Sequence, residues 1–374
     1  MSVKIRSVRT LRFAQPMVPI HQGNFPGALE MVLTIAEADD GSTGYSLARA
    51  HGGQPGSTIA DPVEVSLAPR VVGLDARQPQ QAWERMIALE PAGYVSVFAI
   101  SAVDVALWDL AARLEQRSVA ALLGARRRAL QPYASSSHHP TVDAYVADLR
   151  QALARGYRAY KVHPFYDPRR DIELARALRE AAGPEIRLML DAAKRYDERA
   201  SLEVGQALQR EGFHWFEEPL PQQDWRGYRR LREALDIPVI GGETLPGLHL
   251  AIDNALQAGA YDAVLCDVYW KGGITGALRT FEVCRTHGVP VVSHHGASAL
   301  MNLANLHLLC AHDEPVMIET LFPEAPYEHG IDRPARIGAD GLMHLPDGPG
   351  LGALPDWPFI RAHAVGAAGA GAGR

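Results

Sequence analysis

The chain has 374 residues, 47% of them apolar, and a formal net charge of −6. That is enough apolar material for one large domain plus a smaller one, and the acidic balance argues against a nucleic-acid surface. No stretch is apolar enough to span a membrane, "MSVKIRSVRTLRF" lacks a secretory apolar run, and three cysteines without a CxxC pair suit reduced thiols, so the expected setting is the cytoplasm.

Residues 1–50 read as antiparallel strands: "KIRSVRTLRF" alternates, and "EMVLTIAEADDGSTGYSLA" places two strands around an "ADDGS" turn. Residues 78–123 read as helices, the best of them 97–116, "VFAISAVDVALWDLAARLEQ". From about residue 130 short apolar runs alternate with amphipathic stretches, the pattern of βα units and a parallel sheet. The expected strands are 131–136, 157–163, 186–191, 213–217, 237–243, 261–267, 289–294 and 315–319. The tail "AVGAAGAGAGR" is low-complexity, and fraying is expected there.

From the third strand on, each closes on an acid or a histidine: Asp191, Glu217, Glu243, Asp267, His294 and Glu319, at steps of 26, 26, 24, 27 and 25 residues. Such a step accommodates one strand, one helix and two loops. Eight such units predict an α/β fold of the (β/α)8 barrel type, whose strand ends gather at one mouth and carry the active site. Asp191, Glu217 and Glu243 would then converge and repel one another unless a cation sits between them, and an all-oxygen set favours a hard ion such as Mg²⁺. A single strand-end acid would as readily cap the next helix; three at matched steps favour a metal. Glu218 faces the other way by alternation, as a supporting group or the partner of a cation.

Asp267 and His294 end adjacent strands, so a carboxylate can orient the imidazole and raise its basicity, which makes His294 a general acid/base candidate. In "HHGAS" the neighbouring His295 reads as a loop residue. Lys161 and His163 share one face of the strand "RAYKVH", ahead of Asp191. An ammonium beside His163 disfavours a second positive charge, which leaves the ring able to accept a proton. A metal holding a substrate carboxylate between these two sets supports removal of the proton α to that carboxylate, the metal stabilising the enediolate.

These residues resemble the enolase superfamily, in its mandelate racemase-type subgroup. "AISAVDVALWDLAARLEQRSVAALLGA", "LDAAKRYD", "WFEEPLP", "GGETL", "CDVYWKGGIT", "VVSHHGAS", "MIET" and "LPDGPGLG" carry the likeness. It implies a modified TIM barrel, (β/α)7β, spanning 126–344, under an α+β capping domain of residues 1–125 completed by a segment from about 345 to 374. It implies Asp191, Glu217 and Glu243 as Mg²⁺ ligands, Asp267 and His294 as an acid/base dyad, and Glu319 as a hydrogen-bond partner of the substrate carboxylate. Lys161 matches the first lysine of a Lys-x-Lys pair. The second, usually the base, is His163 here, and the Asn common two residues after the metal Asp is Ala193. Family members commonly form dimers and octamers, so a homo-oligomer is expected.

The family's capping loops choose the substrate. The matching loops, 16–27 and 48–56, are polar, with His21, Gln22, Asn24, Arg49 and His51 as candidates to face it. The expected partner is a small-molecule carboxylate, and the expected reaction is dehydration of a sugar acid to a 2-keto-3-deoxy acid. Racemisation or epimerisation of an α-substituted acid is the second reading, and lactone cycloisomerisation the third. A barrel metallohydrolase would want His-x-His on the first strand, where "YASSSHHP" has only adjacent histidines, and a binding protein has no need of ordered acids plus a dyad.

Overall fold

The computed structural model describes residues 3–16, 29–90, 93, 95–296, 298–314 and 316–365. Loop residues His21, Gln22 and Asn24, and the tail from residue 366, lie outside them. Three N-terminal strands form an antiparallel sheet in sequence order: β1 (Ile5–Gln15), β2 (Leu29–Ala38) and β3 (Thr43–Arg49). The helix Val97–Leu114, started by Ser96 accepting a hydrogen bond from the Ala99 amide, lies against this sheet on one side and the barrel on the other. It is buried from Ala99 to Ala112, which explains why its sequence is apolar nearly all round. Gly44 permits the close approach, because a Cβ there would overlap the Ala106 carbonyl oxygen.

A short strand β4 (Ala129–Leu130) precedes the barrel. The barrel strands are β5 (Pro132–Ser136), β6 (Ala159–Val162), β7 (Arg187–Asp191), β8 (Trp215–Glu217), β9 (Val239–Gly241), β10 (Ala263–Cys266), β11 (Val291–Ser293) and β12 (Ile318–Phe322). They pair in parallel in the order β12-β5-β6-β7-β8-β9-β10-β11. A helix follows each of β5 to β11, whereas β12 leads only into a 3-10 turn at Ala325–Tyr327, giving the (β/α)7β form. Between β11 and β12 the Glu319 amide donates to Ser293 Oγ at 3.3 Å, and from β5 the Tyr133 hydroxyl donates to the Ser293 carbonyl at 2.7 Å. A last strand, β13 (Met343–His344), pairs antiparallel with β4. The C-terminal segment then runs back to the N-terminal sheet, where the Val365 amide donates to the Arg12 carbonyl and the Ala14 amide to the His363 carbonyl.

The strands are mostly shorter than the sequence suggested. Trp215–Glu217 replaces 213–217, with Phe213 and His214 outside the ladder at the bottom of the barrel, and Val239–Gly241 replaces 237–243, with Ile237 and Pro238 outside it at the bottom and Gly242 and Glu243 at the mouth. Glu319 does not end its strand; it is the second residue of β12, opposite Tyr133.

Candidate active site

The barrel interior is filled by a plug of Tyr133, Ala159, Met189, Trp215, Ile240, Ala263 and Leu265, with Val292 and Met317 against it. Side chains on a strand repeat every two residues. Two residues above Ala159, Met189, Trp215, Leu265, Val292 and Met317 stand Lys161, Asp191, Glu217, Asp267, His294 and Glu319. Alternation therefore lifts six chemistry-bearing side chains into the layer above the plug. Glu243 lies three residues beyond Ile240, and Gly242, at φ +89°, takes up the extra residue in a conformation that favours glycine. The buried Lys271 holds this turn by donating to the Gly242 and Glu243 carbonyls.

Asp191, Glu217 and Glu243 each offer a carboxylate oxygen within 4.8 Å of the others. None of the three caps a helix; the side-chain caps of the barrel helices are Thr141, Asp167, Asp197, Asp224 and Ser298. Burial pushes the Glu217 carboxyl well above the ordinary range, and Asp191 and Glu319 add to it against the opposing charge of Lys161. Three carboxylates gathered this closely repel one another, and the all-oxygen donor set fits a divalent ion. Trp215 Nε1 donates to Glu217 Oε2 at 3.0 Å and fixes that carboxylate. Glu218, at φ +42°, turns away, ion-pairs with Lys194 at 2.7 Å and accepts the Glu243 amide at 3.0 Å.

On one side of the cluster Lys161 Nζ sits 2.7 Å from Glu217, 3.0 Å from Glu319 and 3.8 Å from Asp191. Burial works against its charge, yet these carboxylates hold the ammonium well above the ordinary lysine value. His163 Nε2 lies 3.2 Å from Asp191 Oδ2, and Nδ1 lies 2.8 Å from the Ser136 carbonyl. A carbonyl only accepts, so Nδ1 carries the hydrogen and Nε2 faces the site.

On the other side His294 Nδ1 lies 2.7 Å from Asp267 Oδ2, and Nε2 lies 3.3 Å from Glu243. Asp267 is itself fixed by the Tyr269 and Trp270 amides at 2.6 and 2.8 Å. Burial disfavours the charged ring, but Glu243, Asp267 and Glu319 push it up to about 10. Glu319 accepts from the Tyr133 hydroxyl and the His295 amide at 3.1 and 2.9 Å. Burial raises its carboxyl, but Lys161 and His294 outweigh that and hold it down at about 2. His295 is thus no loop bystander: it is buried and lines the cavity, and burial lowers its ring to about 3.

The cavity over these groups holds about 440 Å³ and is lined by His163, Asp191, Glu243, His294 and Glu319 below, with Arg49 at the end of β3 and His51 just beyond it. His51 packs among Phe98, Tyr269 and Trp270, at ring distances of 5.3, 5.2 and 4.9 Å, so this wall is more aromatic than the polar loop sequence suggested. Sequence reasoning missed Tyr133, Ser136 and Lys271. Only Lys271 had a visible signal, a charged residue inside the strand-end stretch "CDVYWKGG".

Comparison with known proteins agrees with this architecture. The N-terminal domain model of mandelate racemase/muconate lactonizing enzymes matches residues 7–124, and the enolase C-terminal domain-like model matches 144–358. D-galactarolactone cycloisomerase of Agrobacterium fabrum is 29% identical, over 86% of this chain and 88% of its own length. L-rhamnonate dehydratase of Saccharopolyspora erythraea is 30% identical, over 87% of this chain and 83% of its own. The magnesium complex of D-glucarate dehydratase from Agrobacterium tumefaciens superposes with a TM-score of 0.86 at 28% identity, covering 98% of this chain and 100% of that one. A capped (β/α)7β barrel with an acid triad at its mouth and a match to both domain models along most of its length places this chain in the enolase superfamily, in the mandelate racemase/muconate lactonizing enzyme family.

Proposed function

We propose that the protein is a hydro-lyase that removes the proton α to the carboxylate of a sugar acid and expels the β-hydroxyl, giving a 2-keto-3-deoxy acid. The observation that carries this reading is the placing of two imidazoles on opposite sides of the acid triad, His163 Nε2 at 3.2 Å from Asp191 and His294 Nε2 at 3.3 Å from Glu243. Mg²⁺ held by Asp191, Glu217 and Glu243 would supply positive charge to the substrate carboxylate as its α-carbon loses the proton.

The chain's own groups divide the remaining work. Lys161 gives positive charge to the carboxylate's second oxygen, and ionised Glu319, 3.0 Å from the ammonium, holds that ammonium in place. His163, its Nδ1 tied to the Ser136 carbonyl, takes the α-proton on Nε2. His294, charged beside Asp267, gives its proton to the β-hydroxyl as the C–O bond breaks, so water leaves and the enol relaxes to the keto acid. Dehydratases of sugar acids among the relatives support this order of preference. Acid/base groups on both faces equally allow a proton to return on the opposite side, which favours epimerisation as the second reading.

Incubation with Mg²⁺ and a panel of sugar acids in D2O tests the proposal. A 2-keto acid should accumulate, read as its semicarbazone. Recovery of substrate epimerised at C2 without keto acid would move the reaction to the second reading, and an unchanged panel would contradict both.

A further inference from the structure

Besides Lys271, which donates to two backbone carbonyls, three Lys or Arg side chains stand at or under the cavity, and two of them are met by carboxylates: Lys161 by Glu217 at 2.7 Å and Lys194 by Glu218 at 2.7 Å. Arg49, at the end of β3, is the third. Its side chain is buried, with 6% of the residue exposed, and it lines the cavity from the capping side. Its guanidinium has no carboxylate at ion-pairing distance among the described residues; its only hydrogen-bonding contact is the His51 ring, at 3.2 Å from Nδ1 and 3.4 Å from Nε2. Nearly equal distances to two atoms across one ring put the guanidinium nitrogen over the ring rather than in line with a lone pair. None of the residues outside the described set is Asp or Glu, so no acidic side chain there can complete the pair.

A buried cation without an anion is unfavourable, and a guanidinium presents a planar fork suited to a carboxylate. The acid triad and Lys161 take the reacting carboxylate at the floor of the cavity; Arg49 stands at its roof. We propose that the substrate is a dicarboxylic polyhydroxy acid, an aldaric acid, whose distal carboxylate is bound by Arg49. This rests on the reading of the floor as a site for a metal-bound carboxylate, and it narrows the substrate from sugar acids in general to those charged at both ends.

The test compares kcat/KM for stereoisomeric aldaric acids with that for the matching aldonic acids, in which CH2OH replaces the distal carboxylate. Wild-type protein should prefer the aldaric partner by roughly 10- to 100-fold, as a charge-assisted pair supplies. Arg49→Gln should bring the ratio down toward one, chiefly through KM, and Arg49→Lys should keep part of it. Aldonic acids turned over as well as their aldaric partners would overturn the proposal and leave the α-proton chemistry standing. Turnover of neither class would overturn both.

Discussion

His163 and His294 differ in what holds them, and that decides what each can do. The Ser136 carbonyl can only accept, so it places a hydrogen on Nδ1 of His163 and turns Nε2 to the site. The Asp267 carboxylate favours the charged form of His294. The first arrangement suits a base and the second an acid. His294→Asn is therefore expected to lower turnover on the order of 10²- to 10⁴-fold while leaving Mg²⁺ binding in place, since the ring is not in the acid triad. His163→Ala is expected to eliminate exchange of the α-proton with solvent deuterium, measured by NMR, with the metal site intact. If exchange survives His163→Ala and is lost in Lys161→Met, the base is Lys161 instead.

Among the elements, the helix Val97–Leu114 has most influence on the site although it contributes no chemistry. Asp104 on it accepts from the Thr275 amide at 2.9 Å and hydroxyl at 2.7 Å, Ser101 donates to the Tyr269 carbonyl, and Trp108 donates to Thr275 Oγ1. These bonds fasten the capping side to the segment after β10, whose amides orient Asp267. Burial raises the Asp104 carboxyl to about 7, above its ordinary value. The folded protein therefore holds a proton there that the unfolded chain gives up, so this term favours folding below about pH 4 and is lost as pH rises to about 7. Asp104→Asn removes the term. The stability of wild type relative to this variant, followed by thermal unfolding, should shrink from pH 5 to pH 8, and a gap independent of pH would contradict the assignment. At this scale the sequence was most legible where one face repeats. The matched steps marked the barrel strands because each unit must span the same barrel wall. Strand lengths were not legible, since where each ladder starts and stops depends on the neighbouring strands, which a local pattern does not carry.

Across the whole molecule, the site is a product of alternation over a packed plug: Met189 and Trp215 in one layer raise Asp191 and Glu217 in the next. The acids, the dyad and Lys161 were readable because each ends or nearly ends a strand. Ser136, Tyr133 and the isolation of Arg49 were not, because their roles arise between strands distant in sequence or between the two halves of the fold. No helix among the described residues is long and apolar enough to cross a membrane. The central claim is that Asp191, Glu217 and Glu243 together hold one Mg²⁺ at the barrel mouth, and calorimetric titration with Mg²⁺ tests it most directly. Wild-type protein and His294→Asn should each bind one ion per chain, and Asp191→Asn should lose that binding. Equal stoichiometry and affinity in Asp191→Asn and wild type would contradict it.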